Sequence, residues 1–281
     1  MSLGTFKLHV GRRMPREVRA AEPIHVTRAT LGIAGLGFLL WGIGYLWLAQ
    51  TPSGSRGLWM LITAGHLLIA FAILNHAVHH RRRFGLPALV LMFLANVGVA
   101  AVTLPFTFDP SLLAKHEWSI TWIYDMYGAA LLIGAAAVLL VFKRKVSRLQ
   151  GLHKAVEDEI HSSFFVLAVL TIGLLVWGAA CISLSVKPTS EILQLGKVLG
   201  PALIAVALIV HIEHLALRIG RPSVVLAVVA AVVASASQFN WGTNEATWDT
   251  EITSQGFAYI LAAVACGLVE LHKKAWEQPR D

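Results

Sequence analysis

The sequence predicts an all-α integral membrane protein: eight transmembrane helices in two tandem four-helix units, related by a pseudo-twofold axis along the membrane normal. Three observations predict it. Of 281 residues, 56% are hydrophobic and only 14% charged, with a mean hydropathy of +0.67. Soluble domains run near ~45–50% apolar and ~25% charged, so a water-soluble fold is excluded. Apolar runs long enough for a bilayer core about 30 Å thick recur eight times. Finally, one stretch of the chain returns 135 residues later.

Taken in order, the spans are 29–49, 57–78, 86–106, 120–142, 163–185, 198–217, 222–238 and 256–271. The first is too long for a signal h-region and follows too long a leader, so it reads as a retained helix. The seventh is the shortest, but Ala and Val run almost unbroken from Val224 to Ala236. The corresponding divisions are a segment 1–28, a first unit 29–145, a linker 146–162, a second unit 163–272 and a tail 273–281. The linker, with Lys143-Arg144-Lys145 before it and Glu157-Asp158-Glu159 within it, reads as a short amphipathic helix. The stretch Gln238–Gln255, with Trp241, Trp248, Glu245, Asp249 and Glu251, reads as an outer loop bearing an aromatic belt.

Charge sets the orientation. With the N-terminus in the cytoplasm, Arg56, Lys115, Lys187 and Lys197 fall outside, and the rest of the 23 lysines and arginines fall inside. A bias this steep is the positive-inside signature of an inner-membrane protein, bacterial or archaeal, with both termini cytoplasmic. The net charge of +7 is therefore a topology signal and not a nucleic-acid footprint. Cys181 and Cys266 lie in apolar runs and form neither a metal-ligand spacing nor a disulfide framework.

Superimposing Leu68–Val97 on Leu203–Val232 matches 13 of 30 positions. Apolar matches are cheap in a membrane protein. Those at His76/His211, His79/His214, Arg83/Arg218, Gly85/Gly220 and Pro87/Pro222 are not. One residue out of that register, Gly37-Phe-Leu-Leu-Trp41-Gly42 matches Gly173-Leu-Leu-Val-Trp177-Gly178. The unit is then four helices, and an even unit repeats in parallel. The Gly-x-Pro turns are helix stops, glycine ending one helix and proline opening the next.

The histidines supply the chemistry. His76, His79 and His80 share one helix face at the inner end of span two, and the repeat sets His211 and His214 at the same depth in span six. Imidazole suits Zn, Cu, Fe and haem iron. Two designs fit: a b-type haem held by an axial pair, with Arg83 and Arg218 facing its propionates, or a transition metal held by His76, His79, His80, His211 and His214. His66, fourteen residues and about 21 Å before His80, completes half the ligand spacing of diheme cytochromes b. The partner half is absent, since Lys197 and Gly200 stand where ligands would precede His211 and His214. His66 and Asp125 are the intramembrane polar residues assigned to substrate or quinone contact.

The two-bundle plan resembles haem A synthases and anchor subunits of respiratory oxidoreductases, without the Glu-x-x-His-Arg motifs of the former. His76–His80 is similar to one HxxHH box of the membrane di-iron desaturases. Eight inner-side histidines (His76, His79, His80, His153, His161, His211, His214 and His272) match their number, but the other boxes are missing. The leading expectation is a membrane redox protein passing electrons between quinone and a partner near the cytoplasmic face. The alternatives are a permease with its path at the repeat interface, a di-iron oxygenase or hydroxylase, and a structural subunit of a membrane complex.

Overall fold

A computed structural model of the chain describes residues 26–51, 55–79, 81–114, 116–149, 163–187, 190–237 and 245–277; the side chains of 82–83, 113–120, 148–149, 191, 213–218, 245–249 and 274–277 lie outside that description. The described residues are helical, without strands. They form eight long helices: α1 (Arg28–Gln50), α2 (Arg56–His79), α3 (Leu86–Phe108), α4 (His116–Leu149), α5 (Phe164–Val186), α6 (Glu191–Ile219), α7 (Arg221–Ala236) and α8 (Glu245–Glu277). A single turn of helix, Arg81–Phe84, joins α2 to α3. Seven of the eight are long and apolar enough to cross a bilayer, and the chain is built as an integral membrane protein. The exception is α7, with 16 residues.

Local chemistry starts and stops these helices. Thr27 Oγ1 accepts from the Thr30 amide at 3.1 Å, and Ser163 Oγ accepts from the Val166 amide at 3.1 Å. Each satisfies an amide that the first turn leaves unpaired. Gly85 and Gly220 break the chain before α3 and α7 at φ 85°, ψ 143° and φ 84°, ψ 141° respectively. That is a left-handed φ open to glycine, and a proline follows in the first turn of each new helix.

Every long helix packs against its neighbours in sequence, and α8 packs against α1. The eight therefore close into a ring in chain order. α6 also touches α8. Large apolar side chains such as Ile43, Phe71, Leu94, Ile172 and Val264 stay exposed, as a lipid-facing surface requires.

Glycines set the closest approaches. A Cβ on Gly37 of α1 would stand 2.9 Å from the Gly65 carbonyl oxygen of α2, and one on Gly42 would stand 2.8 Å from the Gly256 oxygen of α8. On α5, a Cβ on Gly173 would meet the Gly200 oxygen of α6 at 2.9 Å, and one on Gly178 the Gly128 oxygen of α4 at 3.0 Å. At about 100° per residue, two glycines five positions apart face directions about 140° apart. That is close to the angle between the two neighbours of a member of an eight-membered ring. Trp41 and Trp177 project between their two glycines, toward the ring interior.

The outer loop expected over Gln238–Gln255 is corrected: α8 begins at Glu245. α6 likewise begins at Glu191, seven residues before the expected start, and α4 runs on to Leu149. In each case the helix extends past its apolar stretch into polar residues that a hydropathy window reads as loop.

Gly37→Ala and Gly65→Ala are expected to cost about 1–3 kcal/mol each by overpacking, lowering the thermal midpoint in detergent. Gly267→Ala, where an added Cβ meets nothing within 4 Å, is expected to be neutral or to gain about 0.5–1 kcal/mol. Equal effects at the crossing and open glycines would contradict the packing described.

Candidate functional site

All eight helices contribute to one cavity of about 300 Å³ at the ring centre. Its lining residues lie toward the helix ends away from the turns at Arg81–Phe84 and Gly220. Its walls include Val102, Phe106, Ile123, Ile204, Ala231 and Ile252, with Trp41, Tyr45, Trp59, Tyr124, Tyr127, Trp177 and Tyr259 supplying most of the ring surface. The aromatics pack on one another. Trp41 stacks on Tyr259 at 3.8 Å between centroids and 17° between planes, and Tyr127 meets Trp177 edge-on at 5.1 Å.

Charge enters through two residues. Lys197 Nζ of α6 lies 3.7 Å from Glu251 Oε1 of α8, with side chains 9% and 13% exposed. The ammonium also sits 5.8 Å from the Tyr124 ring centroid, a cation–π distance. Gln255 Nε2, one turn along α8, donates to the same carboxylate oxygen at 3.3 Å. Buried charge is costly unless paired and hydrogen-bonded, and in a membrane protein it marks a pathway or site. The pair joins α6 to α8 beside the short α7, whose Ala231, Ala234 and Ser235 complete that wall.

His66 is 5% exposed and lines the cavity. A carbonyl only accepts, so the 3.0 Å contact from His66 Nδ1 to the Ile62 oxygen puts the ring proton on Nδ1. Nε2 of the neutral ring is then an acceptor. The imidazole packs 3.8 Å from Trp41. The indole N–H of Trp41 donates toward the Tyr45 hydroxyl, and that of Trp59 is buried without a partner among the described residues. Both side chains belong to the cavity wall.

Of the residues assigned from sequence, only His66 comes to this cavity. Asp125 is exposed on α4 and is not part of the wall, although its neighbour Tyr124 is. His76 is half-buried with its ring 6.3 Å from Phe84. His79 is exposed, with Nδ1 donating to the Asn75 oxygen at 2.8 Å. His211 is half-buried on α6. His80, His153 and His161 lie outside the described residues, as do the side chains of Arg83, His214 and Arg218. α2 and α6 stand four places apart in the ring, and among the described residues no group of three or more His, Cys, Asp or Glu could hold a metal.

Sequence reasoning missed Lys197 and Glu251. Both fall outside the spans 198–217 and 256–271, Lys197 just before the one and Glu251 in the segment Gln238–Gln255 read as an outer loop. A signal was present: Glu251, Gln255 and Tyr259 recur at i, i+4 and i+8, one face of a helix.

Comparison with protein-family models, curated proteins and solved structures finds no match to this chain.

Removing one member of the Lys197–Glu251 pair is expected to cost about 3–5 kcal/mol, because it leaves a buried charge alone. Lys197→Met and Glu251→Gln should each lower the thermal midpoint sharply, and the double variant should recover much of the loss. Additive losses in that cycle would show that the two groups do not interact.

Proposed function

We propose that this protein binds a small molecule within the membrane, in the cavity at the centre of its helix ring. The observation that carries the reading is the buried Lys197–Glu251 pair facing a cavity lined from all eight helices. Ligand sites are concave and mostly apolar, with few convergent polar groups, and this cavity has that character.

The reading includes a duplication, with α1–α4 and α5–α8 as related halves. Support comes from equivalent contacts. Thr27 and Ser163 cap α1 and α5 in the same way. Gly85 and Gly220 share a backbone conformation, and Arg144 and His272 lie against them in turn. The crossings Gly37–Gly65 and Gly42–Gly256 correspond to Gly173–Gly200 and Gly178–Gly128. In these registers Lys197 corresponds to Ile62, Glu251 to Ile123 and His66 to Pro201. The scaffold contacts are paired while the polar groups of the cavity are not. Ancestry explains the former, and a function specific to the centre explains the latter. The cytoplasmic location of the termini rests on the charge bias of the loops.

The test is a ligand panel. In nanodiscs, at least one of menadione, benzoate and phenethylammonium should raise the thermal midpoint by mass action. Ala234→Phe, which fills the cavity, should abolish the shift. No shift with any class, or a shift that survives Ala234→Phe, would contradict the reading.

A haem or transition metal at the inner histidines is a second reading. It is favoured by the matched spacing of His76, His79, His211 and His214, and by the half-buried positions of His76 and His211. Bis-imidazole haem predicts a Soret band and a reduced α-band near ~560 nm, lost in His76→Ala and His211→Ala. A colourless protein without bound metal, purified so that haem is retained, would remove this reading and leave the cavity untouched.

A further inference from the structure

We propose that the cavity takes an aromatic α-amino acid as its zwitterion, the carboxylate against Lys197 and the ammonium against Glu251. The proposal rests on the cavity being a ligand site and names what that site takes.

The ion pair has room for further partners. Charge-assisted N–H···O bonds run about 2.7–2.9 Å, whereas Lys197 Nζ and Glu251 Oε1 stand 3.7 Å apart. The two attract one another without closing to the shortest contact. An ammonium carries three donors, and a carboxylate has two acceptor oxygens. The Tyr124 hydroxyl is the other hydrogen-bond partner of the lysine, while Lys197 and Gln255 both approach Oε1 of the glutamate. Each group keeps capacity for one more bond, and both line the cavity. Neither side chain is sealed, since 9% and 13% of their surfaces stay exposed.

The charges decide the class of ligand. A lone cation would meet the Lys197 ammonium in a low-dielectric site, and a lone anion would meet the Glu251 carboxylate. An uncharged ligand avoids both penalties but gains nothing from the pair. An apolar wall would serve it as well, without two desolvations. A zwitterion sums to zero and offers each wall charge its opposite. The wall charges are neighbours, so those of the ligand must be neighbours too. An α-amino acid attaches both to one carbon.

Depth and wall chemistry narrow the class. Lys197 follows the start of α6 at Glu191 by six residues, and Glu251 follows the start of α8 at Glu245 by six. Each is therefore about 9 Å along its helix axis, near the ends that face away from the Gly220 turn. That depth suits a solute arriving from water. All four tyrosines of the chain line the cavity, together with Trp41, Trp59 and Trp177. Aromatic rings prefer stacked or edge contacts with other rings, and about 300 Å³ is room for an amino acid with one ring.

The test measures thermal stabilisation of the full-length protein in nanodiscs by L-phenylalanine and three relatives. Phenethylammonium lacks the carboxylate and 3-phenylpropionate lacks the ammonium. The third, 4-(aminomethyl)benzoate, sets the two charges at opposite ends of the ring. L-Phenylalanine is expected to bind the wild type about tenfold or more tightly than each relative, the scale of one lost charge-assisted hydrogen bond. Combining Lys197→Met with Glu251→Gln should remove that advantage, and Ala234→Phe should abolish stabilisation altogether. A relative as effective as L-phenylalanine on the wild type, or an advantage that survives the double variant, would overturn the proposal. The wild-type comparison decides it even if the double variant misfolds. Stabilisation by menadione, benzoate or phenethylammonium and not L-phenylalanine, abolished by Ala234→Phe, overturns the amino-acid class but leaves the cavity reading standing. Failure of every compound overturns both.

Discussion

The structure depends on helices touching backbone to backbone at glycine. Lipid tails are as apolar as leucine, so no hydrophobic drive brings transmembrane helices together, and close van der Waals contact must supply it. In α1, Gly37 meets α2 and Gly42 meets α8; in α5, Gly173 meets α6 and Gly178 meets α4. Each of these two helices thus holds a neighbour on both sides, at the angle an eight-membered ring needs. The tryptophan between the glycines is left facing inward. The pattern fixes four of the eight packings that close the ring, and its tryptophans join the cavity wall.

Within that scaffold the polar centre has a cost. Under the proposed duplication, Lys197 and Glu251 stand where the other half carries Ile62 and Ile123. Ile62 is fully buried in a hydrophobic cluster, and Ile123 lines the same cavity without charge. An apolar pair at the Lys197 and Glu251 positions would pack as well and avoid two desolvations. Their presence, held by Gln255 and Tyr124, is the clearest departure from what stability alone would choose. Aromatic side chains surround the pair and line most of the cavity.

Much of this was legible in the chain. Eight apolar runs anticipated eight helices to within a few residues at most ends. The Gly-x-Pro turns at Gly85 and Gly220 fell where the backbone turns. Gly37–Gly42 and Gly173–Gly178 were visible as a matched motif, though what each glycine touches was not. The site was read less well, for a physical reason. Hydropathy treats a charge as the end of a span, so Lys197 and Glu251 were set aside as loop when they are buried at the centre. Repeated histidines drew attention because repetition is conspicuous, yet duplication preserves spacing with or without function. Of the polar residues that line the cavity, His66 was the one recognised from sequence. Asp125 shows the converse: a carboxylate inside an apolar run, on a helix face turned away from the cavity.

The most direct measurement is an electron-microscopy structure of the full chain in lipid nanodiscs. The account predicts helices closed in chain order, with Gly42 against Gly256 so that α8 seals on α1, and with Lys197 and Glu251 paired toward the centre. Two separate four-helix bundles, with α1 packed on α4 and the lysine facing lipid, would contradict it.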